Sequence, residues 1–167
     1  MKIVGLVVAA ALAAILLAAC SSSPSTGAET IYGTTASTAN NPTIPLKATG
    51  VFTDTGTIAL GSKSTKGTLH FTKGGLNVNH SNPPNPNTPS SFNATTCRVA
   101  FAESGTFKVT GGTGTYKGAT GHGTFKVTFA ATLPKLASGK CNESNNANPL
   151  PGTSLTTFKA TGNLTIQ

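Results

Sequence analysis

Gly105-Thr106-Phe107-Lys108-Val109-Thr110 returns letter for letter as Gly123-Thr124-Phe125-Lys126-Val127-Thr128. Between the copies lies Gly111-Gly112-Thr113-Gly114-Thr115-Tyr116-Lys117-Gly118-Ala119-Thr120-Gly121-His122. In each copy Phe and Val point to one face and Thr, Lys and Thr to the other, the period of a strand with one face buried. Glycines at 111 to 114 supply backbone conformations and close approaches that other residues resist. Curvature of that kind lets a sheet close on itself and lose its edges.

The same texture runs outward in both directions. Leu69 and Phe71 alternate, then Leu76 and Val78, then Cys97, Val99 and Phe101. The chain closes with Phe158, Ala160, Gly162, Leu164 and Ile166 in alternation. Outside the first residues no stretch shows a helical period. The expected fold is all-β, a single antiparallel β-barrel of about eight strands over residues 46–167. Alternation alone leaves open which face is inward. Two Pro/Asn-rich loops interrupt the pattern, Ser81 to Pro89 and Pro134 to Gly152.

The N-terminus follows a different logic. Lys2 precedes an uncharged run from Ile3 to Ala19, which ends in Leu17-Ala18-Ala19-Cys20 and is broken by Ser21-Ser22-Ser23-Pro24. This is a secretory signal, and the small residues before a cysteine resemble the lipobox of bacterial lipoprotein precursors. The resemblance implies a signal peptide over 1–19, acylation (palmitate among the chains) at Cys20 and a membrane anchor. Ser21 resembles an outer-membrane sorting signal in a two-membraned host; with one membrane the protein would sit on its outer face. Residues 20–45, rich in Ser, Thr, Ala, Gly, Asn and Pro, read as a flexible tether. Ile31 and Tyr32 are read as loose within it.

The chain carries 12 Lys+Arg against 4 Asp+Glu. Without Lys2 the balance is 11 to 4, a net +7, spread as single lysines rather than a nucleic-acid-binding stripe. An extracytoplasmic address removes nucleic acid as a partner. Once Cys20 takes lipid, Cys97 and Cys141 remain, an even pair in an oxidising compartment that suggests one disulfide. Zinc is the weaker alternative, since no Cys-x-x-Cys occurs and His70, His80 and His122 are scattered. No metal and no cofactor is expected.

Gly111-Gly112-Thr113-Gly114-x-Tyr116-x-x-Ala119-x-Gly121 resembles a motif of the dirigent and allene oxide cyclase-like barrels, where it bridges two neighbouring strands. The resemblance covers about a dozen residues closely and the rest in texture. It implies a barrel holding an apolar small molecule, with polar residues at the mouth. The motif itself would be structural, Gly112, Gly114 and Gly121 making the turn and Tyr116 packing beside Ala119. Dirigent sites use acidic and arginine residues, and none of the acids here aligns with a family catalytic position. Asp54, Glu103 and Arg98 are the candidate polar residues of the barrel mouth, where small-molecule sites form. Arg98 and His70 are out of phase with their apolar neighbours and face solvent if those neighbours fill the barrel. Glu29 falls in the tether and Glu143 in a loop.

Three functions follow. The leading one is a non-enzymatic envelope lipoprotein whose barrel binds a small apolar ligand or a protein partner. The second is an isomerase or cyclase acting on a lipophilic substrate through Asp54, Glu103 or Arg98. The third is an inhibitor of an envelope enzyme, using the loop from Asn82 to Pro89 with Phe92.

Overall fold

The computed structural model describes residues 23–37, 42–60, 64–81, 89–144 and 147–167. Cys20 and most of the first Pro/Asn-rich loop lie outside them. The described strands are β1 (Ser25–Thr35), β2 (Thr43–Gly50), β3 (Asp54–Ala59), β4 (Lys66–Phe71), β5 (Gly74–His80), β6 (Ser91–Asn93), β7 (Arg98–Gly112), β8 (Thr120–Thr132) and β9 (Leu155–Ile166). They pair antiparallel in the order β5-β4-β3-β2-β1-β9-β8-β7, and β5 pairs with β7 to close the ring. The result is an eight-stranded barrel, with β6 as an outer strand on the edge of β7.

The apolar phase faces in. Ile44, Leu46, Leu69, Leu76, Val109, Phe158 and Leu164 are buried together, while Lys108, Lys126 and Thr124 of the repeat are exposed. Burial of apolar area at about 25 cal/mol per Å² drives this choice of face.

The repeat has a packing reason. Its two copies are neighbouring strands, paired so that Gly105 lies opposite Phe125 and Phe107 opposite Gly123. A Cβ at Gly105 would stand 2.8 Å from the Phe125 ring, and one at Gly123 would stand 2.8 Å from the Phe107 ring. Each glycine is thus the socket for the other copy's phenylalanine. That reciprocity requires Gly-x-Phe twice.

The tether expectation is corrected. Residues 25–35 are not a tether but β1, paired with β9 over the strand's length and with β2 from Glu29 to Gly33. Ile31 is 3% exposed. The inward phase of this strand is Glu29, Ile31 and Gly33. Only one of the three is bulky and apolar, so the alternation does not register in the sequence. Gly33 is there because a Cβ would meet the Pro45 carbonyl oxygen at 2.1 Å. The barrel therefore begins at about Ser25, and β2 also starts before Leu46.

Cys97 and Cys141 form a disulfide, with Cα atoms 5.3 Å apart. It ties the second Pro/Asn-rich loop, bridged at Lys135 and Cys141, to the segment just before β7.

Candidate functional site

The two ends of the barrel differ. At the upper end β7 stops at Gly112 and the glycine corner turns over the opening through a short 3-10 turn at Gly114–Tyr116. The corner clamps onto the β4–β5 turn: Thr113 donates its N–H to the Gly75 carbonyl, Gly75 donates to Thr113 Oγ1, and Thr115 donates to the Lys73 carbonyl. Gly114 has φ +59, and a Cβ there would stand 2.3 Å from the Lys73 carbonyl oxygen. Only glycine fits both demands.

The corner drives Tyr116 into the barrel, where it is 1% exposed. Its ring packs against Phe52 at 4.7 Å and Phe71 at 5.7 Å between centroids. Its hydroxyl donates to Asp54 Oδ2 at 2.6 Å. Asp54 also accepts from the Thr72 hydroxyl, from Lys73 N–H at 3.1 Å and from Thr55 N–H at 2.8 Å. Burial works to raise the Asp54 pKa, but these four donors outweigh it and hold the carboxyl well below the usual range. Burial, and then the Asp54 charge, push the Tyr116 phenol above its ordinary value. Asp54, expected at an open mouth, is instead the buried anchor of the plug. A carboxylate with four donors is occupied, and a polar group can be buried here because it is satisfied.

Glu29 lies nearby inside the same end, 3% exposed. Its Oε2 accepts Phe52 N–H at 3.1 Å, and its Oε1 is buried with no partner among the described residues. Burial raises its pKa, partly offset by surrounding backbone N–H groups. Sequence reading placed this residue in a tether, and no local signal marks it, because its burial comes from the β2–β3 turn folding over it.

At the lower end the wall is uneven. β5 pairs with β7 only as far as His80 opposite Phe107, while β7 and β8 continue paired to Arg98 and Thr132. The inner face of that extension carries Phe101, Glu103, Phe125, Val127 and Phe129, all half-buried. Phe101 and Phe129 rings are 6.3 Å apart, and the His80 ring meets Phe125 edge-on at 5.7 Å. Glu103 sits opposite Val127 within this apolar wall. Arg98 is exposed and points the other way, in phase with the outward residues of β7.

The three candidate polar residues are therefore not assembled. Asp54 is locked at the upper end, Glu103 lines the lower mouth, and Arg98 is outside. Two open recesses among the described residues lie on the outer wall. One of about 390 Å³ is lined by Thr68, Asn77 and Thr110, and one of about 460 Å³ by Thr26, Lys108 and His122. Neither includes a candidate residue. The chain matches no protein family, no curated protein and no solved structure.

Proposed function

We propose that this chain is a lipid-anchored cell-envelope protein that works by binding rather than catalysis, and that a small apolar ligand is taken against the lower mouth of the barrel. One observation carries the reading. Phe101, Phe125, Val127 and Phe129 are only partly buried along one stretch of inner wall, and Phe101 and Phe129 stand outside the buried core cluster against which Phe125 and Val127 pack. Apolar walls with one placed polar group are the usual form of small-molecule sites, and Glu103 is that group here. The resemblance of the glycine corner to dirigent and allene oxide cyclase-like barrels supports the same ligand class. An isomerase or cyclase needs a second acid/base group beside Glu103. Asp54 is committed to Tyr116 and Arg98 points outward, so binding is the better-supported reading.

The test is titration with the neutral fluorescent probe N-phenyl-1-naphthylamine, using the chain from residue 20 with Cys20→Ser. Saturable binding of one probe per chain, weakened at least tenfold in Phe101→Ser and Phe129→Ser but not in the exposed-loop variant Leu136→Ser, is the expected result. Absence of saturable binding, or equal loss in all three variants, overturns it.

A further inference from the structure

The outer wall around β1 is cationic without compensation. Lys47 of β2 pairs with Tyr32 of β1, Tyr32 with Lys159 of β9, and Lys159 with Lys126 of β8. This places Lys47, Tyr32, Lys159 and Lys126 in one cross-strand row. All four side chains are exposed, Tyr32 to 51%. Lys159 and Lys126 are directly opposite, an arrangement that costs stability in a sheet. No carboxylate relieves it. Of the four acids, Glu29 and Asp54 are buried, Glu103 is on the inner face, and Glu143 is in the loop after Cys141.

We infer that this wall docks on the anionic headgroups of the bilayer from which the chain hangs. The inference rests on the lipid-anchor reading for its geometry. Lipid at Cys20 would leave only the steps to Ser25 before β1 begins, a reach of about 17 Å at full extension. So short a leash keeps the Ser25 end of β1, paired there with β9, close to the membrane rather than lifting the barrel away. The row centred on β1 then meets a surface of opposite charge. Tyr32, an exposed aromatic with a polar tip between lysines, suits the headgroup level of a bilayer. Uncompensated like charges on the outward wall serve the surface they face, not the fold.

The test is sedimentation of the Cys20→Ser chain from residue 20 with vesicles of phosphatidylcholine alone and with 30% phosphatidylglycerol added. Binding only to the anionic vesicles, falling as salt is raised, is expected. Each wall lysine should contribute about fivefold, so Lys47→Gln with Lys126→Gln and Lys159→Gln should weaken partition about a hundredfold. The triple variant Lys117→Gln, Lys135→Gln and Lys140→Gln, with the same change in net charge, should cost less than tenfold. Equal losses in the two triples, binding without preference for anionic lipid, or binding to soluble polyphosphate but not to vesicles would each overturn the inference. Because the assay uses unacylated chain, it is independent of the anchor. Labelling of the full chain in cells with a palmitate analogue, lost in Cys20→Ser, tests the anchor separately.

Discussion

Tyr116→Phe isolates the bond that locks the plug. The substitution keeps the ring against Phe52 and Phe71 and removes only the hydroxyl, which donates to Asp54 at 2.6 Å in a buried setting. Hydrogen bonds to a charged group contribute about 1.5–3 kcal/mol. Asp54 keeps its bonds from Thr72, Lys73 and Thr55 and is not stranded, so the expected loss is about 2 kcal/mol. Tyr116→Ala also forfeits the ring, for which about 3–5 kcal/mol is typical. That is enough to threaten a domain whose whole stability is about 5–15 kcal/mol.

The pH dependence supplies a second reading of the same bond. The Asp54 carboxyl is held below its unfolded value. Its contribution is therefore complete above the ordinary carboxylate range and drains away as pH falls below it. Removing one donor lets the folded-state pKa rise toward the unfolded one. The gap between wild type and Tyr116→Phe should be constant at neutral pH and narrow below about pH 4. Urea denaturation followed by far-UV circular dichroism, repeated from acid to neutral pH and combined with Asp54→Asn in a double-mutant cycle, measures both. A loss under about 0.5 kcal/mol at neutral pH, the level of ordinary surface substitutions, or a gap that widens in acid, would refute the plug argument.

Further expectations follow from the same geometry. Glu29 has its pKa raised by burial, so the folded state holds its proton longer and wild-type stability falls as pH rises through and above the usual carboxylate range. Glu29→Gln should flatten that fall in a pH series of thermal melts, and an unchanged slope would exclude Glu29 as its source. Gly112→Ala puts a Cβ 2.4 Å from the Tyr116 carbonyl oxygen and 2.5 Å from that of Gly75, whereas Gly67→Ala meets only a Val78 methyl at 3.7 Å. Guanidinium denaturation should show the first losing about 3 kcal/mol and the second within about 0.5 kcal/mol of wild type. Replacing Cys97 and Cys141 together by serine opens a loop spanned by a sequence separation of 44. It should lower unfolding free energy by about 2–4 kcal/mol, with a null result in the same assay counting against a structural role.

Much of the fold is legible because period-2 alternation is local information. Phe107 and Val109, Phe125 and Val127, and Leu164 and Ile166 announce half-buried strands one by one, and Cys97 and Cys141, the pair left once Cys20 is read as the lipid site, announce their own bridge. β1 is illegible for the converse reason. Its inward positions hold a carboxylate, an isoleucine and a glycine, and each is acceptable only because of what lies across from it. The candidate site shows the same division. Arg98 and Glu103 lie five positions apart on one strand, and their opposite faces follow from alternation once the inward phase is known. The burial of Asp54 does not follow from any local pattern.

The sequence by itself determined strands, the breaks between them and a glycine corner, since these depend on side-chain period and backbone freedom over a few residues. Only the tertiary structure decided that β5 meets β7 to close the ring, that Gly105 and Gly123 receive each other's phenylalanines, and that Tyr116 reaches Asp54. The physical reason is the stagger of a closed barrel. Strands tilt to close, so a hydrogen-bonded row followed around the wall returns to its starting strand several residues displaced. That displacement sets the upper end of β3 beneath the corner after β7, and no residue near Asp54 in the sequence records it.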